Sequence, residues 1–192
     1  MKRVALFFGS FNPLHNGHLA ISKYIIDEKI TDEVWFIVSP KNPLKSSSVL
    51  LDESARLLMA KKVINNVENM RVSDVEFFLS KPSYTYKTLD YLKNKYQETE
   101  FYLIMGEDNL EILPKWRSYD SIIRDYKIIV YPRPDFNADS SKYENIIKLN
   151  AKLNDISSTQ IRDLAKSGKD FSHLVPFEIV EDIKKFYCSF GA

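Results

Sequence analysis

The chain has 192 residues, 44% hydrophobic and 28% charged, a length and balance that suit one globular domain with a sizeable core. Lys and Arg total 27 against 26 Asp and Glu, so the net charge of +1, with no dense basic run, argues against a nucleic-acid partner held by phosphate neutralisation. The single cysteine, Cys188, excludes an internal disulfide and a cysteine-built zinc site; among Phe186, Tyr187 and Phe190 it reads as a packed thiol.

In chain order, Val4–Phe8 reads as a buried strand, and Gly17–Glu28 as a helix with Ile21, Tyr24 and Ile25 on one face. Glu33–Ser39 is a second strand. Pro40–Ser48, with Lys41, Lys45 and three consecutive serines, is a surface loop. A helix over Asp52–Asn65 follows, capped by Asp52, then a strand over Arg71–Phe78 and a helix over Tyr84–Tyr96. Glu100–Met105 is a strand that runs into Gly106-Glu107-Asp108. Trp116–Arg124 is helical, Lys127–Tyr131 a strand, Pro132–Ser141 a loop and Ile146–Leu149 a short strand. Ser158–Lys166 and Pro176–Tyr187 close the chain as helices, with Pro176 in a first helical turn.

Strands alternating with helices predict an α/β fold on an open parallel sheet. No apolar run approaches the roughly 20 residues of a membrane span. The apolar stretch behind Met1-Lys2-Arg3 ends at Gly9, too early for a secretory signal. The expectation is a cytoplasmic protein without a membrane partner. The Phe186–Phe190 cluster leaves core packing and a homo-oligomer interface both open.

Two segments carry chemistry. Gly9-Ser10-Phe11-Asn12-Pro13-Leu14-His15-Asn16-Gly17-His18 joins the first strand to the first helix. Gly9 lets the chain leave the strand without a side chain, Pro13 stiffens the turn, and Gly17 permits close approach to the helix start. His15 and His18 then stand at an anion-attracting helix N-terminus, where two imidazoles can stabilise charge developing on a phosphate. The remaining histidine, His173, is remote in sequence, so a metal site lacks a third ligand, and neither a Walker loop nor Gly-x-Gly-x-x-Gly is present. The second segment, Ile156-Ser157-Ser158-Thr159-Gln160-Ile161-Arg162, gathers hydroxyls and N–H groups at a helix start. Arg162 returns to the face of Ser158 one turn later, which makes a second anion site suited to the outer phosphates of a nucleoside triphosphate.

With these two segments, and with Pro82-Ser83-Tyr84-Thr85, Gly106-Glu107-Asp108 and Trp116 between them, nearly the whole chain resembles the bacterial nicotinate mononucleotide adenylyltransferases of the His-x-Gly-His nucleotidyltransferase superfamily. The resemblance implies a Rossmann-like sheet with helices on both faces, one domain over 1–192, and a helical portion over 150–192 packed on it. It implies ATP on Gly9, Ser10, Phe11, His15, Gly17, His18, Gly106, Asp108, Arg133, Ser157, Ser158 and Arg162, with His15, His18 and Arg162 catalytic. Nicotinate mononucleotide would lie on Lys45, Tyr84, Thr85, Trp116 and Arg117: Trp116 stacks on the pyridine ring, and the Thr85 hydroxyl with nearby N–H groups holds the carboxylate. Asp108 would accept from ribose hydroxyls. Mg²⁺ would arrive with ATP, and no protein metal site is implied.

Each residue also has a plainer reading: Trp116 as a helix anchor, Asp108 and Thr85 as helix caps, Lys41 and Lys45 as solvated charges. Two positions depart from the family pattern. Asn12 stands where many members carry Asp, and Leu44 precedes Lys45 where many carry His. Nicotinamide mononucleotide and phosphopantetheine adenylyltransferases are the rival enzymes, and a nucleotide-binding sensor is the rival of another class.

Overall fold

Successive strand residues divide between two cores. The computed structural model describes residues 1–40, 50–150 and 156–188. In it six strands form one parallel sheet: β1 (Lys2–Gly9), β2 (Glu33–Val38), β3 (Met70–Ser73), β4 (Thr99–Gly106), β5 (Lys127–Tyr131) and β6 (Ile146–Lys148), in the order β3-β2-β1-β4-β5-β6. Ala5, Phe7, Val34, Phe36, Tyr102, Ile104 and Ile129 face one core; Val4, Leu6, Trp35, Ile37, Phe101, Leu103 and Ile128 face the other. Burial on both faces explains why the strands read as continuous apolar runs.

The first face is covered by α1 (Asn16–Asp27), α2 (Glu53–Ile64), α6 (Ser158–Lys166) and α7 (Val180–Ile183), which bury Ile25, Met59, Ile161 and Ile183. The second is covered by α3 (Thr85–Lys95), α4 (Glu107–Ile112) and α5 (Tyr119–Asp125), through Leu89, Leu92, Leu110 and Ile122. The sequence order doubles back between β1 and β4, so the carboxyl ends of these strands and their neighbours flank the crevice where such sheets bind ligands.

Several elements differ from expectation. The strand predicted over Arg71–Phe78 stops at Ser73, and Val75–Phe77 turns as a 3₁₀ helix that buries Glu76. The helix predicted from Trp116 begins at Tyr119, because Ser118 takes a left-handed conformation (φ 58°) and Trp116 is extended. Pro176 precedes a 3₁₀ turn over Phe177–Ile179, and the segment after Ile183 is a π-helical turn, Lys184–Cys188. Cys188 is exposed, not packed; its neighbour Tyr187 takes the buried position. Phe190, Lys41, Leu44 and Lys45 lie outside the described residues. Among the described residues no helix is long and apolar enough to cross a membrane.

Candidate active site

The turn after β1 folds back on itself. A Cβ on Gly9 would stand 2.8 Å from the Phe11 ring, so only glycine lets that ring lie across the strand end. Phe11 is left-handed (φ 43°), a cost for an aromatic residue that its surroundings must offset. His15 is the residue that caps α1, and its ring stacks on that of His18 with centroids 3.6 Å apart. Gly17 makes room, since a Cβ there would lie 3.1 Å from His15 Nδ1. The His15 main-chain N–H donates to His18 Nδ1 (3.2 Å), which leaves the neutral ring's proton on Nε2, facing away from the backbone. His15 is 3% exposed, and burial, with Arg133 nearby, lowers its pKa to about 3, so it works as a neutral imidazole.

The second segment docks on this turn. Ser157 caps α6 by accepting from Gln160 N (3.1 Å), while the Ser158 hydroxyl donates to the Pro13 carbonyl (2.9 Å). Arg162 donates through Nη1 to the Asn12 carbonyl (2.9 Å) and through Nη2 to Thr159 Oγ1 (3.0 Å). Asn12 Oδ1 accepts from the Tyr187 hydroxyl (2.5 Å) and from Leu51 N (3.2 Å). Neither bond needs a charge on residue 12, which is how asparagine serves where relatives of the pattern carry aspartate. His173, remote in sequence, returns its carbonyl to Asn16 Nδ2 (3.1 Å), but its side chain is exposed beside Asp170. Among the described residues no group of three or more His, Cys, Asp or Glu side chains is placed to hold a metal ion.

At the ends of β4 and β5, Gly106 opposes Tyr131 in register, and a Cβ on Gly106 would collide with the Asp108 carboxylate. Asp108 lies in the first turn of α4 and is not its cap; that place belongs to Gly106. Arg133 donates to the Tyr131 hydroxyl (3.2 Å) and its Nε lies 3.8 Å from Asp108 Oδ1. Glu107, buried beside them, accepts from Arg133 N (3.3 Å) and pairs with Lys148 of β6 (3.3 Å). The first turns of α1, α3 and α6 carry no acidic residue, whereas that of α4 carries Glu107 and Asp108. The helix dipole is therefore uncompensated by acidic side chains at the first three starts and met by two carboxylates at the fourth.

On the other face, Tyr84 caps α3 and Thr85 begins it, so the hydroxyl of Thr85 is not a cap. Arg117 lies over the Tyr84 ring, 5.2 Å from its centroid, which brings the Trp116-Arg117 segment to the start of α3. Trp116 packs half-buried against the second core. Four expected site residues carry a buried side-chain atom without a hydrogen-bond partner among the described residues: His15 Nδ1, Asp108 Oδ1, Trp116 Nε1 and Arg162 Nε. Glu76 Oε2, Ser83 Oγ and Tyr126 Oη share this state, so it is not confined to the expected site.

Sequence reasoning missed Arg56, Glu76, Ser83 and Glu107. Arg56 heads the buried stripe Arg56, Met59, Ala60, Val63, Ile64 of α2, and a cation at an apolar-stripe position was the legible signal. Glu76 is 2% exposed and accepts from Thr88 Oγ1 (2.8 Å); burial pushes its carboxyl above the usual range. The Ser83 hydroxyl is buried without a hydrogen-bond partner among the described residues, beside Tyr84.

A family profile described as Cytidylyltransferase-like matches residues 6–164. The chain is 43% identical over 191 residues to a protein of Cytophaga hutchinsonii named probable nicotinate-nucleotide adenylyltransferase, covering 98% of this chain and 100% of that protein. A Flavobacterium johnsoniae protein of the same name is 42% identical, covering 96% and 98%. The Plasmodium falciparum nicotinic acid mononucleotide adenylyltransferase, solved in complex with NaAD, superposes with a TM-score of 0.81 at 22% identity over 96% of each chain, which shows the shared fold.

Proposed function

The chain belongs to the nicotinate-nucleotide adenylyltransferases of the cytidylyltransferase-like family, and from that premise we propose how its site works. It transfers the adenylyl group of ATP to nicotinate mononucleotide, giving nicotinate adenine dinucleotide and pyrophosphate in NAD biosynthesis. An oxygen of the mononucleotide's 5′-phosphate bonds to the α-phosphorus as the bond to the bridging β-phosphate oxygen breaks, and pyrophosphate leaves with that electron pair. The attacking phosphate is already anionic, so catalysis is positioning and charge neutralisation.

His18 donates from Nε2 to a phosphate oxygen that gains charge, the tautomer being set by the His15 N–H. His15 stays uncharged beneath it, and Arg162 with Ser158 steadies the departing pyrophosphate. The backbone of Gly9, Ser10 and Phe11 and the start of α1 at Gly17 line the donor's path, with Ser157 at the far end. Asp108 takes the ribose hydroxyls, with Gly106 allowing its close approach and Arg133 flanking the base. Trp116 stacks on the pyridine ring, while Thr85, Tyr84 and the Arg117 main chain hold its carboxylate; Lys45 belongs to the same acceptor set. Mg²⁺ bound to ATP would supply charge neutralisation of the triphosphate. A cytoplasmic location is part of the proposal, since ATP and a charged mononucleotide do not cross membranes unaided.

The observation that carries this reading is the junction of the two turn segments, Ser158 on Pro13 and Arg162 on Asn12, at the end of β1. The test is pyrophosphate release from ATP and Mg²⁺ with nicotinate mononucleotide, nicotinamide mononucleotide or phosphopantetheine. Strong preference for the first is expected. Preference for another acceptor overturns the acceptor site, and ATP binding without turnover on any of them overturns the enzymatic reading.

A further inference from the structure

Arg56 is completely buried among the apolar residues of α2 and the first core. A guanidinium stays charged there, although burial lowers its pKa, and desolvating it is costly enough that a leucine would ordinarily serve the stripe better. The four hydrogen bonds it makes among the described residues all end on main-chain carbonyls. Nε donates to Leu51 (2.8 Å), Nη1 to Ser10 (2.5 Å) and Ser39 (2.9 Å), and Nη2 to Pro40 (2.8 Å). One side chain therefore ties the turn after β1 to the end of β2 and to the approach to α2.

The bond to Ser10 bears on the donor site. In a trans peptide the C=O and the following N–H point in opposite directions. With the Ser10 carbonyl held on Arg56, the Phe11 N–H is turned away from the core. No hydrogen bond among the described residues uses that N–H. The same peptide leads into the left-handed Phe11, a conformation that persists only under outside constraint. Two residues on, Arg162 holds the Asn12 carbonyl, so two guanidiniums from different helices clamp one short turn.

We infer that Arg56 is a positioning residue for the adenylyl donor, acting through the Ser10 carbonyl to present the Phe11 N–H to the triphosphate. The inference rests on the donor site proposed above. It is tested by titrating the full chain and its Arg56→Met and Arg56→Lys variants separately with ATP–Mg²⁺ and with nicotinate mononucleotide, alongside thermal melts. In folded Arg56→Met the ATP Kd rises about tenfold or more while the mononucleotide Kd stays within about twofold. Arg56→Lys, with one ammonium for four carbonyls, falls between. A lowered Tm with ATP affinity unchanged in the folded variants overturns the inference, as does equal weakening of both ligands. If Arg56→Met does not fold, Arg56→Lys decides: ATP binding as in the native chain overturns it, and a selective loss of about threefold or more supports it. A native chain that does not bind ATP overturns the donor site itself, whereas native ATP binding with indifferent variants removes only the role of Arg56.

Discussion

On the donor side the polar groups reach one another through main-chain carbonyls: Ser158 to Pro13, Arg162 to Asn12, Arg56 to Ser10, with Tyr187 on the Asn12 side chain. On the acceptor side the contacts are faces and edges. Arg117 lies over Tyr84, Tyr84 and Tyr86 have ring centroids 6.1 Å apart, and Ser83 Oγ and Trp116 Nε1 are buried without hydrogen-bond partners among the described residues. The contrast fits what each side is proposed to bind. A triphosphate changes its charge distribution during reaction and needs donors fixed beforehand, because reorganisation would cost part of the stabilisation. A pyridine ring changes nothing in the step and needs only a surface and two or three donors. On the proposed reading, the donor side is pre-set by the fold and the acceptor side is completed by its ligand.

The strongest attempt to break this contrast is His18→Ala. Removing a donor from the pre-set side lowers kcat by about 100-fold or more with little change in Tm, read by pyrophosphate release. A near-native rate would remove His18 from the transition state.

His15→Asn asks whether the pre-set side depends on a neutral imidazole. In the unfolded chain His15 takes up a proton near the ordinary histidine value of 6.5, but folded His15 resists until about pH 3. The native chain therefore loses stability from this residue as pH falls below about 6.5, at about 1.4 kcal/mol per unit, and the loss is complete near pH 3. In urea melts the stability advantage of the native chain over His15→Asn narrows by about 2 kcal/mol between pH 7.5 and pH 5. A gap independent of pH would mean that His15 titrates in the fold as it does in the unfolded chain.

Trp116→Ala probes the ligand-completed side. It raises KM for nicotinate mononucleotide about tenfold and leaves KM for ATP within about twofold, the measure of a lost stacking face. Equal effects on both substrates would merge the two sides. The smallest effect is that of Ser83→Ala, about threefold on the mononucleotide Kd by calorimetry, the scale of one hydrogen bond that forms only with ligand. Tighter binding would mean that Ser83 never meets it.

Much of the scaffold was legible because its signals are local. Strand Lys127–Tyr131 and helix Ser158–Lys166 have the boundaries their patterns predict, and Asp52 caps α2 through Ser54 N (2.9 Å). Arg71–Phe78 has strand-like residues to its end, but after Ser73 the chain turns to bury Glu76 against Thr88. Trp116-Arg117-Ser118 has a helical pattern, yet the left-handed Ser118 delays α5 and frees the tryptophan. At Glu76 a tertiary contact overrides local propensity, whereas at Ser118 the backbone conformation itself interrupts the helical pattern. The π-helical turn that puts Tyr187 on Asn12 has no sequence signal that separates it from an ordinary helix end.

The sequence by itself determined the α/β class, the two turn segments proposed to handle phosphate and the residue types within them, because strand-to-helix turns, caps and glycine requirements are written in neighbouring residues. Only the tertiary structure decided that the two turns share carbonyls across nearly the whole chain, that His15 is neutral, and that the cation beneath the donor turn is Arg56. Burial, tautomer and long-range hydrogen bonds depend on which segments the sheet brings together, and that is a property of the packed molecule.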